Sequence, residues 1–447
     1  MHIRRIHLGA LALGAIAVLG GLTGCDRIKN PLLAVDTPDI VSPDRAQSAA
    51  GAQSFFIAAQ GDFARFIGGD RGGSSPLGLN LTGGLLADEL ISTRSGTEHI
   101  DNRAIDPSAF PSSSWNQVGI SYVRNVRAIR ALLAFPPATG ANEQLAQLHA
   151  MQGMILAITA ETYCNGVPLW DGQSDTDPQT KTYSTSDLYG AAILQLDSAV
   201  KLSTAASTIN VATIGKARVL LDQATPATLA ASSASAAALV AAIPTSYKYN
   251  VVFGTSTSGL GNAIYDWANA TKNFSAVDKE GVNGLDYISS GDPRIKVDPT
   301  KVSAGQDGTR TAALNQYASL DAPVTVASGI EARLIEAESQ LASGNASWIA
   351  TLNTLRATIG LAPLAPAATL AGQQDQLFRE RAFWMYLTAH RLGDMRRLVR
   401  QYGRGAETVY PTGSYFKGGA YGTDVVLLPA QEEKNNPNWT GCTDTKA

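Results

Sequence analysis

Between residues 115 and 135 apolar side chains return every three or four positions, so that Val118, Tyr122, Val126, Ile129 and Leu133 share one face before Pro136-Pro137 stops the run. That spacing predicts an amphipathic helix. The same period recurs over 142 to 164 through Leu145, Leu148, Ile155, Leu156 and Tyr163. Ser184 followed by Asp187 reads as a capping box, opening a helix with Leu188, Ala192, Leu196 and Ala199 inward. Residues 328 to 343 and 346 to 358 read as a helix pair joined at Gly344-Asn345. Successive pairs of this kind predict an all-α chain arranged as a repeat-like superhelix, although no strict repeat period is present. Two stretches hold no helical period: Gly68 to Pro111, rich in Gly, Ser and Pro, and Pro244 to Val326, rich in Gly, Ser, Thr, Asp and aromatics. They read as irregular, loop-rich insertions, and long irregular segments within a compact domain are commonly functional.

The first residues follow a different logic. Arg4 and Arg5 precede an apolar run from Leu8 to Leu22 that ends in Leu22-Thr23-Gly24-Cys25. This is the pattern of a secretory signal peptide, and roughly 15 apolar residues fall short of the ~20 that span a bilayer as a helix. Leu-Thr-Gly-Cys resembles a bacterial lipobox, with Cys25 as the lipidated residue, and two or more acyl chains anchor a protein stably. Residues 25 to 43, with Pro31, Pro38 and Pro43, read as an extended tether. The organisation expected is therefore a leader (1–24), the lipidated tether (25–43), a helical part (44–243), the insertion (244–326) and a second helical part (327–447).

Composition narrows the function classes. With 447 residues and 45% apolar content the chain can build a full core, while a net charge of -3 and only 16% charged residues give no basic field for nucleic acid. Catalytic motifs are missing. His99, His149 and His390 lack metal-ligand spacing, and there is no Cys-x-x-Cys, no Gly-x-Ser-x-Gly and no Walker-type loop, so no metal, cofactor or catalytic residue is expected. The acidic loop 171 to 177 lacks the Gly and terminal Glu of a calcium loop and reads as solvated.

Seven segments together resemble, in order along nearly the whole mature chain, the RagB/SusD-like nutrient-uptake lipoproteins of bacterial outer membranes. WNQVGISYVRNVRAI (115–129) looks like that family's first long helix, and QGMILAITAETYCNGVPLWDG (152–172) like its helix followed by a Val-Pro-Leu turn. YSTSDLYGAAILQLDSAVKL (183–202), GDPRIKV (291–297), LNTLRATIGLAPL (352–364) and LLPAQEEKNNPNW (427–439) resemble later family segments. RERAFWMYLTAHRLGDMRRL (379–398) is similar to the family's Glu-Arg…Gly-His-Arg-x-x-Asp-Leu-Arg-Arg helix through Glu380, His390, Arg391, Asp394, Arg396 and Arg397; the family commonly has Glu where Trp384 and Thr388 stand here. The resemblance implies a superhelix of tetratricopeptide-like helix pairs with loop-rich insertions, and a lipid-anchored, outward-facing outer-membrane protein that binds glycans or peptides over a TonB-dependent, SusC-like transporter. Other readings are a helical glycoside hydrolase, because two of the many acids could meet in the fold, and a scaffold that holds a protein segment.

Within 379–398, Asp394 stands three residues from both Arg391 and Arg397, which predicts ion pairs on one helix face and a structural brace. Sugar binders stack flat rings on pyranose faces, and the insertion is dense in aromatics. Tyr265 and Trp267 are the leading candidates for a ligand platform, beside Asp266 and Asn269 as hydroxyl-binding groups; Tyr287 and Trp170 are further candidates, and Trp115 is expected in the core. Cys164 and Cys442 either form a disulfide that fastens the C-terminal tail or remain two thiols.

Overall fold

A computed structural model describes residues 47–69, 77–109, 112–170, 172, 179–255 and 258–447. Cys25, the leader, the tether and most of the acidic loop lie outside the described residues. The long helices are α1 (Ala49–Gly68), α2 (Leu79–Leu86), α3 (Ser112–Ala134), α4 (Ala141–Thr162), α5 (Thr185–Leu202), α6 (Ala206–Asp222), α7 (Leu229–Val240), α8 (Gly329–Ala342), α9 (Ser347–Ala357), α10 (Leu370–Trp384) and α11 (Arg391–Arg400). Consecutive helices pack on one another: α3 on α4, α4 on α5, α5 on α6, α6 on α7 and α8 on α9. The capping box forms as its spacing dictates, with the Asp187 N–H donating to Ser184 Oγ at 3.0 Å and the Ser184 N–H to Asp187 Oδ2 at 3.0 Å.

Helix α4 is the axis of the core. Every residue from 150 to 164 is buried, which a helix apolar on all sides requires. Gly153 lets α5 close on it, since a Cβ there would lie 2.5 Å from Leu196, and Gly215 does the same for α6 beneath Met154 and Leu196. On α3 the buried face is set by Val118, Tyr122, Asn125, Ala128 and Leu132; Leu133, expected inward, is exposed, because the face drifts by one position over the last turn. The stretch 68–111 is less irregular than its composition suggests. Leu79–Leu86 is a helix buried on every side, so its sequence carries no amphipathic stripe to announce it.

Among the described residues, strands occur as four two-stranded antiparallel sheets: β1 (Leu90–Ser92) with β5 (Phe274–Ala276), β2 (Val167–Trp170) with β3 (Thr180–Tyr183), β4 (Lys248–Val251) with β8 (Val324–Ser328), and β6 (Val297–Ala304) with β7 (Arg310–Leu314). Most belong to the insertion, which is joined to the helices rather than set apart. Its Phe274, Tyr287 and Leu314 share one apolar cluster with residues of α1, α4, α10 and α11.

The charged stretch 379–398 is not one helix. Helix α10 ends at Trp384 and α11 starts at Arg391, and between them Leu387 (φ 55) and Ala389 (φ 64) take left-handed conformations that ordinary side chains disfavour. Side chains from distant segments hold that turn. Tyr317 Oη donates to the Leu387 carbonyl at 2.7 Å, Asn80 Nδ2 donates to the same oxygen, and the Leu387 N–H donates to Glu89 Oε1 at 2.8 Å. Most of the ion pairs of this stretch join separate elements. Arg391 binds Asp88 (2.6 and 2.9 Å), Arg381 of α10 binds Asp394 (2.8–3.0 Å), and Arg397 binds Glu338 of α8 while approaching Asp394 at 3.5 Å. Glu380 accepts from Arg294 (2.6 Å) and Arg356 (2.6 Å), and Glu331 takes a two-pronged bond from Arg218 (2.8 and 2.9 Å). Of the two pairings expected along one face, Asp394 keeps the contact with Arg397, while Arg391 pairs with Asp88 instead; the other pairs join separate elements and are buried apart from the half-buried Arg356.

Two of these acids titrate in opposite senses. Burial pushes the Glu89 carboxyl up to about 8, opposed by the Leu387 N–H and reinforced by the Asp88 charge. In the unfolded chain it ionises near 4.5, so between about 4.5 and 8 only the folded chain keeps the proton, and stability falls as pH rises through that window. For Glu331, burial is outweighed by Arg218 and His390, which hold it at about 2; its stabilisation is present above 4.5 and is lost as pH falls toward 2. Glu89→Gln is therefore expected to flatten the loss of thermal stability between about pH 4.5 and 8, by up to about 1.4 kcal/mol per pH unit within that window. Melting curves across that range check it, and parallel wild-type and variant profiles would contradict it.

Candidate functional site

The insertion opens two neighbouring clefts, separated by the segment that follows β7. The first, about 550 Å³, is lined by Tyr265, Ala268, Asn269, Lys272 and Asn315 on one side and by Lys301, Val302, Ser303 and Thr311 of the β6–β7 hairpin on the other. Its positions are fixed by short-range bonding. Asn262 caps the turn Ala263–Tyr265 by accepting from the Ile264 and Tyr265 N–H groups (2.9 and 3.1 Å), and its Nδ2 donates to the Ala322 carbonyl at 2.7 Å. The turn widens into a π turn over Asp266–Ala270, whose Asn269 clamps β7 by bonding both the N–H (2.9 Å) and the carbonyl (2.7 Å) of Leu314. Lys272 takes a left-handed conformation (φ 57), and its carbonyl accepts from Thr93 Oγ1 at 2.8 Å.

No carboxylate lines this first cleft. Lys301 lies 3.8 Å from Asp298, and Lys272 has no carboxylate within ion-pair reach among the described residues. With an aromatic ring, alanine methyls, two ammonium groups, amides and hydroxyls, the surface suits a ligand rich in hydroxyl or anionic oxygens.

The second cleft, about 310 Å³, is bordered by Lys248, Asn250, Lys296, Gln316, Tyr317, Trp384, Thr388, Glu331 and His390. Trp384 is half-buried beneath Arg294, 5.1 Å from the ring centroid, and its indole N–H has no partner. Trp384 and Thr388 are the positions where the sequence departs from the SusD-like pattern, and both line this cleft. Glu331 is the one acidic side chain bordering it; its pairing with Arg218 and the His390 Nε2 at 3.3 Å keeps it ionised.

The aromatic residues singled out from sequence do not meet in one site. Tyr265 is half-buried and lines the first cleft. Trp267, 8% exposed, is stacked on Phe274 (5.7 Å, 23°) with Arg94 5.0 Å from its ring centroid, so neither face is open. Tyr287, 0% exposed, is enclosed by Phe383 and Tyr386, with its hydroxyl 3.4 Å from Asp88. Trp170, 6% exposed, lies under Arg127 and Arg130. Asn269 is consumed by its clamp on Leu314 and Asp266 is buried, so neither acts as the exposed hydroxyl-binding group expected. The rings share a physical reason: Trp267 and Tyr287 of the insertion, and Trp170 outside it, fill the apolar cluster that the insertion shares with the helices before they face solvent. Trp115 is in the core, edge-on to Tyr163 at 4.9 Å. Sequence reasoning passed over Lys272 and Lys301, because a lone lysine in a polar loop carries no signal. Among the described residues no cluster of three His, Cys, Asp or Glu could hold a metal ion, and no helix is long and apolar enough to cross a membrane.

Cys164 and Cys442 are bonded as a disulfide. It joins the end of α4 to the C-terminal tail, where Trp439 Nε1 also donates to the Gly166 carbonyl (2.7 Å) and the Thr443 N–H to the Asn165 carbonyl (2.7 Å).

No family model and no curated protein sequence matches this chain. Solved structures do. A laminarin-binding SusD-like protein superposes with a TM-score of 0.66 at 15% identity over 89% of this chain and 99% of its own. NanU of B. fragilis gives 0.63 at 12% identity over 90% and 97%. A SusD-like carbohydrate-binding protein of Bacteroides vulgatus gives 0.59 at 11% identity over 88% and 97%.

Proposed function

We propose, from the premise that this chain has the SusD-like fold, that it is a cell-surface lipoprotein which captures an oligomeric nutrient, a glycan, and passes it unaltered to a TonB-dependent, SusC-like transporter of the outer membrane. The observation that carries the binding half of this reading is the first cleft: an open surface of Tyr265, hydroxyls, amides and ammonium groups, in a fold whose solved relatives include proteins described as binding carbohydrate. The delivery half rests on the fold and on the leader that ends in Cys25.

Binding without turnover is supported by where the carboxyl groups lie. Glycoside hydrolysis needs two carboxyls flanking one bond, about 5–9.5 Å apart, one of them protonated. Acids pushed toward their neutral form do exist here. Burial raises Asp101 to about 6 and also raises Glu280, its hydrogen-bonded neighbour, while Glu161 is raised by burial and by the charge of Asp222. All four are buried, and none lines either cleft. Glu331, which does reach a cleft, is held ionised and cannot donate a proton.

Retardation of the purified protein in gels cast with individual polysaccharides, with product analysis of the same mixtures, tests the reading. Retardation by at least one glycan without shortened products is the expected result. Peptides retained where glycans are not would move the assignment to oligopeptide capture, and shortened products would make it a hydrolase. For the anchor, Cys25→Ser is expected to move the protein from the membrane pellet to the soluble fraction, since the lipid supplies the stable attachment. A variant that still sediments after a high-salt wash would contradict that.

A further inference from the structure

Among the buried arginines, Arg218, Arg294, Arg381, Arg391 and Arg397 each meet a carboxylate. Arg396 does not. It is 3% exposed, and its Nη1 donates to the carbonyls of Ala160 (2.9 Å), Glu161 (2.7 Å) and Tyr163 (3.2 Å) at the end of α4, while its Nε has no partner. One turn on, Arg400 donates through Nη2 to the Asp222 carbonyl at 3.1 Å, and its Nε is likewise unpartnered. Among the described residues neither guanidinium has a carboxylate within ion-pair distance. A buried cation left without an anion is costly, and a fold that neutralises its other buried arginines has left these two open.

Both line a third cleft of about 520 Å³, none of whose lining residues comes from 244–326. Its wall also holds Tyr189, 2% exposed, whose hydroxyl has no hydrogen-bond partner. The N-terminal residues of α5, Ser184 to Ser186, border the same space, so the positive end of that helix adds to the field. The opposite wall is the C-terminal tail, through Asp444, Lys446 and Ala447, fastened by the Cys164–Cys442 bond. Asp444 is the one acidic side chain in the lining, and Asn165 Nδ2 holds it at 3.1 Å.

We propose that this cleft is a binding site for a small oxyanion, a carboxylate, sulfate or phosphate group, received by Arg396, Arg400 and the Tyr189 hydroxyl. Two guanidiniums with open N–H groups and a phenol with an open O–H form a set of donors that can converge on one anion. A planar guanidinium matches the paired oxygens of each of these groups. A bound anion would tie α11 to α5 and to the tail, so its binding is read in the stability of the whole chain.

The test is a titration of the full chain with sodium phosphate, sulfate and acetate at constant ionic strength, followed by melting temperature and by calorimetry. A saturable rise in melting temperature with at least one anion, and a measurable heat, are expected. The anion that saturates at the lowest concentration identifies the chemistry. Sulfate and phosphate also stabilise proteins generally, without saturation and equally in all variants. Arg400→Met, at a half-buried position, is expected to weaken binding at least about tenfold, and Tyr189→Phe by severalfold, because each removes a donor aimed at the anion. The absence of a saturable response to all three anions would overturn the proposal, as would an unchanged response in both variants.

Discussion

Arg391→Met is expected to cost about 3–5 kcal/mol of folding free energy, the usual penalty for removing one partner of a buried ion pair. Arg391 closes on Asp88 through two short bonds, and Asp88 is fully buried beside the Leu285 N–H and the Tyr287 hydroxyl. Without the guanidinium its charge keeps only those neutral donors. Combining Arg391→Met with Asp88→Asn removes the stranded charge yet keeps an acceptor for Leu285, so the double variant is expected to recover part of the loss. Thermal and denaturant unfolding of the four proteins measure this. A double variant less stable than either single one would mean that the pair's value lies elsewhere. The ligand clefts lie apart from this pair, so affinity in the folded fraction is expected to stay unchanged.

Loss of the disulfide is expected to have an effect of similar order. Cys164 and Cys442 are 278 residues apart, and closing so long a loop restricts the unfolded chain enough to stabilise the fold by about 2–4 kcal/mol. Trp439 and Thr443 hold the tail independently, so the Cys442→Ser chain is expected to fold with a lower melting temperature and to lose its tail to protease before the rest unfolds. Equal melting curves for oxidised and reduced wild-type protein would refute this.

The helical half of the fold was legible because one buried face leaves a period of 3.6 in the sequence. Ser184 and Asp187 announced their helix through local bonding alone. Where burial is complete the period vanishes, as in Leu79–Leu86 with its two glycines, and that helix went unread. The break between α10 and α11 was also unreadable. Leu387 and Ala389 are held in left-handed conformations by Glu89, Asn80 and Tyr317, all far away along the chain. Asp394 does approach Arg397 along α11 as its spacing indicates, but the main partners of Arg391 and Arg397, Asp88 and Glu338, come from elements far away along the chain, and no local pattern announces them.

The candidate site was legible only at Tyr265. Ring density in a polar insertion is the same signal whether the rings plug the insertion onto the helices or face a ligand, and here Trp267 and Tyr287 are plugs. The better sign was local: Trp384 and Thr388, where the chain departs from the pattern it otherwise follows, both line a cleft.

The most direct test of the binding account is a calorimetric titration of the best-retained oligosaccharide into wild-type protein and into the Tyr265→Ala and Trp267→Ala variants, each checked for an intact fold. The account predicts a loss of about 1–3 kcal/mol for Tyr265→Ala, the range for truncating an aromatic anchor, and little loss for Trp267→Ala wherever that chain remains folded. Wild-type affinity in a folded Tyr265→Ala protein would contradict it and place the ligand outside the first cleft.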